Sequence, residues 1–340
     1  MTTQIEQPAR VKPSLTQGQR ISGFIRHNGL QLGIITVLVL MWLFLIIAAP
    51  KTFLSGDIYR SFASSIPFYG IMALPITLLV IAQEIDLSFG STMAVGMVAY
   101  IGVFNVTGSP LLALFGCLLA GSLVGLVNGL IVVKIGIPSL IATIGTQFFW
   151  RGFVIVVTNA RSQPLGAAAA ADPFLHNLLV GHLFEQVPAQ FIWMVIIAIA
   201  VWLLLNRHRF GAHVYLIGDN NNSARLMGIN VDQRRILLFA IVGVAAAFAG
   251  LLASFQISNF FPSLGDGYLL QTLAAVFLGG TPVLGGVGTI LGTFVGCFII
   301  GVIEPGTVAI GLTGYWTQLI YGLIIVVSVG MHTILRRRIR

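Results

Sequence analysis

The sequence predicts an all-α integral membrane protein, and three observations carry that class. Of its 340 residues 57% are hydrophobic and only 8% are charged, where a soluble domain carries roughly 25% charged residues. Its apolar runs are continuous, not alternating residue by residue, which selects helices over a barrel. About ten of these runs are close to the ~20 residues that cross the hydrocarbon core.

In chain order, residues 1–30 form a polar tail rich in Gln, Pro, Ser and Arg, read as mobile with room for a short helix near 17–26. They carry no cleavable signal pattern. The expected spans are 31–49, 64–82, 91–107, 110–133, 138–158, 190–205, 236–258, 268–281, 287–303 and 315–334. The eighth is short and bounded by glycine, so a broken or tilted helix is expected there. A transmembrane domain of residues 31–334 is followed by a basic tail, 335–340, holding Arg336, Arg337, Arg338 and Arg340.

Charge sets the expected orientation. With both termini in the cytoplasm, the inner segments hold fourteen of the eighteen basic residues: four in the N-terminal tail, Lys134, five in residues 206–235, and four at the C-terminus. The outer segments keep Lys51, Arg60 and Arg161, and Arg151 lies within a span. The net charge of +8 is thereby accounted for by membrane topology and anionic lipid, with no nucleic-acid partner implied.

A repeat is visible in the glycines. Gly121, Gly125 and Gly129 recur every fourth residue in the fourth span, and Gly288, Gly292 and Gly296 do so in the ninth. Such ridges let helices approach closely. Their matching places predict two repeats, spans 2–5 and 7–10, and the odd offset of five spans makes them inverted.

Residues 206–235 are the one long polar segment between apolar runs. Asp219-Asn220-Asn221-Asn222-Ser223 offers N-caps, Ala224 to Met227 can form one or two helical turns, and Gly228 suits a left-handed terminating residue. The segment reads as a short exposed helix on the cytoplasmic face, or as a basic loop that only anchors the spans to lipid. Its wording also resembles the cytoplasmic loop of ABC-importer permeases for simple sugars, the ribose/xylose/galactose type. The matching residues are Arg209, Phe210, Gly211, Tyr215, Gly218, Asn220, Ala224, Gly228 and Ile229. The resemblance implies that this loop docks on a separate ATPase subunit.

Between the second and third spans, residues 83–91 place Glu84 and Asp86 where carboxylates are costly. Three readings stand: a proton-coupled secondary transporter using Glu84 and Asp86, an N-cap role for Asp86 or Ser88, and the permease signature Gly-Gly-Ile-Asp-Leu-Ser-x-Gly. Ile85, Asp86, Leu87, Ser88 and Gly90 match that signature, whereas Gln83-Glu84 replaces its two glycines. The resemblance continues through Asn128-Gly129, through 134–143 with Pro138 in the first turn of the fifth span, and through Trp150-Arg151-Gly152. Arg151 can reach the interface, pair with an acid from another span, or line the pathway.

The outer loop, 159–189, holds His176 and His182 without metal-ligand spacing, and is long enough to meet a binding protein. Cys117 and Cys297 read as small buried hydrophobes. The glycine-rich run 279–288 lacks the Lys-Ser/Thr ending of a phosphate loop and reads as a hairpin between spans. Neither a Gly-x-Ser-x-Gly elbow nor a His-Glu-x-x-His pair occurs, so no catalytic residue, metal or cofactor is expected. Taken together the resemblance implies a bacterial inner-membrane permease with partners: an ATPase, a periplasmic binding protein, and a second permease copy, identical or paralogous.

Overall fold

The computed structural model describes residues 17–183 and 186–339, with side chains over 31–183 and 186–330. The expected N-terminal tail is therefore outside the described residues up to position 16. From there α1 runs unbroken over Gln17–Ala48, longer than the short helix expected near 17–26. It is followed by α2 (Pro50–Phe53), α3 (Gly56–Ile81), α4 (Phe89–Thr107), α5 (Pro110–Leu130) with a π turn at Ile131–Ile135, and α6 (Ser139–Thr158). The outer loop contains β1 (Gln163–Pro164), α7 (Gly166–Ala171), α8 (Pro173–Val180), β2 (His182–Leu183) and β3 (Val187–Pro188). Then come α9 (Ala189–Asn206), α10 (Arg209–Asp219), α11 (Asn221–Leu226), α12 (Val231–Gln256), β4 (Asn259–Phe260), α13 (Tyr268–Leu278), α14 (Ile290–Ala309) and α15 (Tyr315–Ile339).

Local chemistry starts these helices where the sequence supplies acceptors. Ser109, before Pro110 at the first position of α5, accepts from Leu112 N–H, Asn230 accepts from Gln233 N–H before α12, and Thr289 accepts from Gly292 N–H before α14. Among the described residues, eight helices are long and apolar enough to cross a membrane. They coincide with eight of the ten expected spans, some with displaced ends: α3 begins at Gly56 and α12 at Val231. The other two expected spans are shorter apolar helices, Tyr268–Leu278 and Tyr315–Gly330. With a rise of 1.5 Å per residue α13 is only about 16 Å long, half of the hydrocarbon thickness.

The two most buried long helices, α3 and α12, pack on each other at the centre. Around them the two halves repeat one pattern. α4 packs on α5 and α6 as α13 packs on α14 and α15. α4 and α5 lean on α12, and their counterparts α13 and α14 lean on α3. Partners are exchanged between halves, as a two-fold relation requires.

The glycine ridges are seams of this packing. A Cβ on Gly121 or Gly125 would sit 2.4 Å from the Gly243 carbonyl oxygen or 2.2 Å from that of Phe239, so α5 and α12 touch backbone to backbone. Gly292 and Gly296 do the same against Gly279 and Ala275 at the end of α13. The third expected member of that ridge, Gly288, lies ahead of α14, packed against Thr281 and Ile81. It belongs to the 279–289 turn.

Candidate functional site

The α3–α4 and α12–α13 junctions both interrupt the helical path, and one face of α6 holds both. Ser139, Thr143, Gln147 and Arg151 follow one another at four-residue intervals along α6, hence on one side of it. Ser139 Oγ accepts from Ile85 N–H at 3.1 Å and Thr143 Oγ1 from Leu87 N–H at 3.1 Å. One turn on, the Gln147 carbonyl accepts from Ser91 Oγ at 2.8 Å. Another turn on, Arg151 donates to the carbonyls of Pro262 and Leu264 (2.8 Å for the latter) and pairs with Asp266 at 2.6 Å.

Asp86, Ser88 and Asn128 are brought together and fully buried. Asp86 Oδ1 accepts from both Ser88 N–H and Ser88 Oγ–H at 2.7 Å, while Asn128 Nδ2 donates to Ser88 Oγ at 2.6 Å. Ser88 precedes α4 but makes no side-chain cap bond to it. Asp86 therefore braces the turn one step before the helix and leaves the free N–H groups of its first turn alone. The segment from Asn259 to Gly267 reaches inward far enough to touch α4: a Cβ on Gly265 would meet the Gly90 carbonyl oxygen at 2.2 Å. Since Ser91 bonds at Gln147, the ninth residue of the twenty in α6, this crossing lies level with the middle of that helix. Gly265 has φ +95°, a conformation open to glycine. Strand β1 pairs with β4, Gln163 opposite Phe260, tying the outer loop to the same segment. Beside Arg151 and Asp266 opens a cavity of about 460 Å³ with Ser162 and Ser263 on its wall.

The basic loop docks beneath the first junction. Its residues Arg209 to Asp219 form α10, a helix the sequence reading missed. The signal was available: Phe210, Gly211, Val214, Ile217 and Gly218 recur at helical spacing and are the buried ones. Gly211 lies against the Leu205 carbonyl, and a Cβ on Gly218 would sit 1.8 Å from the Ile81 carbonyl oxygen at the end of α3. The Tyr215 hydroxyl donates to the Gly288 carbonyl at 2.7 Å. Gln83 takes φ +66°, a left-handed backbone where the permease signature has glycine, and its amide donates to the carbonyls of Gly218 (2.9 Å) and Leu284 (3.1 Å). Buried Glu84 pairs with Arg235 of α12 at 3.1 Å. The two non-glycine residues thus stitch the first junction to the loop.

Beyond α10, Asn220 accepts from Ser223 N–H to start α11, and Gly228 follows at φ +80°. Ala224 is buried, whereas Leu226 and Met227 are largely exposed at 89% and 66%. Burial foremost, then Arg234, Arg209 and His208, hold His213 below the usual histidine range. His176 packs edge-on to Phe255, and among the described residues no group of three or more metal-ligating side chains occurs.

A polytopic helical bundle with paired halves, helix junctions meeting level with the middle of α6, and a helical loop seated on one of the junctions is the architecture of a membrane transport subunit. The family model of the branched-chain amino acid transport system permease component matches residues 58–329, and the chain belongs to that family. It is similar to the ribose import permease protein RbsC of Escherichia coli (strain K12), 32% identical over 260 residues, 76% of this chain and 80% of that one. It is also similar to the autoinducer 2 import system permease protein LsrC of Yersinia pestis (strain Pestoides F), 31% identical over 310 residues, 89% of this chain and 84% of that one. No solved structure matches.

Proposed function

We propose that the chain is the permease subunit of an ATP-binding-cassette importer for a monosaccharide or related polyol. The observation that carries the reading is the seat of the 206–235 loop. Gly218, Gln83 and Tyr215 interlock it with the end of α3 and the 279–289 turn, while Leu226 and Met227 stand free at its tip. An exposed apolar pair on a basic loop suits a protein partner, and force on the tip is delivered to the first junction through backbone contacts. In this reading an ATPase binds the tip from the cytoplasm, a periplasmic binding protein delivers the solute outside, and a second permease copy completes the assembly in the inner membrane. Both termini are cytoplasmic, and the halves are inverted repeats. ATP-driven closure biases the two junctions between outward- and inward-open states.

The solute class follows the two relatives named for ribose and autoinducer 2; the family's description names branched-chain amino acids, a second class to be assayed. A proton-coupled carrier using Glu84 and Asp86 is disfavoured, because Glu84 is committed to Arg235 and Asp86 to Ser88. The test is Gly228→Pro in the assembled complex. Proline fixes φ near −65° where the loop needs a positive value, so ATP-driven uptake is lost while membrane insertion persists. Normal uptake by the variant contradicts the docking role.

A further inference from the structure

Helices α9 and α12 both pack on α3 but scarcely on each other, and a groove of about 390 Å³ opens between them. Ile197 and Val201 line it from α9, and Leu237, Ile241, Val244 and Phe248 from α12, with α3 and α5 completing the wall. Ser122 is the one polar side chain on that wall. The outer end is stopped by Trp193, edge-on to Phe248 with ring centroids 5.3 Å apart. From Leu237 to Phe248 the groove follows α12 for about 16 Å, the depth of one leaflet of hydrocarbon.

The other end is cationic. Arg234 stands one turn before Leu237 and two before Ile241, on the same stripe of α12. Its guanidinium lies over the ring of Phe210, 5.5 Å from the centroid, and its Nε is buried without a hydrogen-bond partner among the described residues. Immediately before Phe210 come His208 and Arg209, both exposed, with His208 Nδ1 accepting from the Phe210 N–H at 3.1 Å. Among the described residues no carboxylate pairs with Arg209 or Arg234: Asp232 is turned to Arg225 and Glu84 to Arg235. At the same end of α9, exposed Trp202 with Arg207 over its ring marks the membrane surface.

We propose that this groove holds an acyl chain of an anionic phospholipid whose phosphate is bound by Arg234, Arg209 and His208. An apolar groove at hydrocarbon depth offers nothing to a water-soluble anion, and a lipid without net charge leaves the cations unmatched. A molecule with a tail as long as one leaflet and a negative head answers both ends. A second copy of the chain fits poorly, because contact about a two-fold axis normal to the membrane would bring two such cationic ends to one level. A phosphate there ties α12 to the start of α10, the helix that interlocks with the first junction. The inference needs only that the chain spans a bilayer, and stands apart from the identity of the solute and of the ATPase.

The test is native mass spectrometry of the intact permease released from detergent, titrated with dioleoylphosphatidylglycerol or dioleoylphosphatidylethanolamine. One phosphatidylglycerol is expected to be retained at least about fivefold more tightly than phosphatidylethanolamine, the worth of one basic residue at an anionic surface. Equal retention of the two lipids overturns the proposal, and this comparison needs no substitution. Arg234→Gln is expected to weaken phosphatidylglycerol retention about fivefold. Ile241→Trp, which fills the groove and leaves the cations in place, is expected to weaken it at least as much. Retention at the wild-type level in either variant overturns the proposal. Glycerol 3-phosphate is expected not to compete; competition at the concentration of the lipid shows a free-phosphate site and removes the acyl chain from the account. An Ile241→Trp chain that splits a dimer in the same spectra without moving lipid retention assigns the groove to a second copy and overturns the lipid.

Discussion

The junction before α4 and the junction before α13 meet the same requirement with opposite chemistry. Backbone groups freed inside a bilayer must find partners. At the first, the freed groups are donors, Ile85 N–H and Leu87 N–H, and two small hydroxyls one turn apart on α6 accept from them. At the second they are acceptors, the carbonyls of Pro262 and Leu264, and a single guanidinium donates to both. The first junction is sealed, with Asp86, Ser88 and Asn128 buried; the second is open, with Asp266 57% exposed on its side chain. Which residue type α6 presents follows from which half of the peptide bond each break exposes. The sealed junction lies against the basic loop and the open one against the outer loop.

Substitutions can break this contrast in graded steps. Gly265→Ala strikes both junctions, since its Cβ would press on the Gly90 carbonyl and its φ is +95°. A loss of about 3 kcal/mol or more is expected from overpacking and left-handed strain together, read as a large drop in the thermal midpoint in detergent. Arg151→Ala leaves two carbonyls without donors and should cost about 2–4 kcal/mol, with Arg151→Lys recovering only part because an ammonium lacks the planar fork. At the sealed junction, Ser139→Ala and Thr143→Val each orphan one N–H, for about 1–2 kcal/mol apiece. Asp266→Asn is expected to cost under about 1 kcal/mol, as its exposed carboxylate is solvent-screened. A loss there equal to that of Arg151→Ala would show that the ion pair, and not the carbonyl bonds, holds the second junction.

Gln83→Gly sharpens the comparison from the loop side. Glycine relieves the left-handed backbone, a gain of about 1 kcal/mol, while two hydrogen bonds to Gly218 and Leu284 vanish. Stability is expected to change little, and ATP-driven uptake to fall severalfold relative to wild type.

Much of this was legible in the sequence, for identifiable reasons. Long apolar runs and the Asp86-Leu87-Ser88 motif are local signals, and eight helices and a buried turn stand where they pointed. Arg151 was conspicuous as a cation in an apolar run, but its acid, Asp266, lies 115 residues away in a segment with no periodicity of its own. The Gly90–Gly265 crossing was hidden for the same reason, because a glycine does not announce which backbone it admits. Helix α10 was masked by arginines and histidines that gave residues 206–235 the look of a loop, although its buried positions keep helical spacing.

The most direct measurement is disulfide or short bifunctional crosslinking from Leu226→Cys to the ATPase subunit in the reconstituted complex. Leu226 is the most exposed apolar side chain on the loop, and the native thiols are buried and silent. A crosslink whose yield changes between nucleotide-free and ATP-bound states is the predicted result. A thiol at position 226 that never reaches the ATPase, or that reacts with an impermeant reagent from the external side while uptake proceeds, contradicts it.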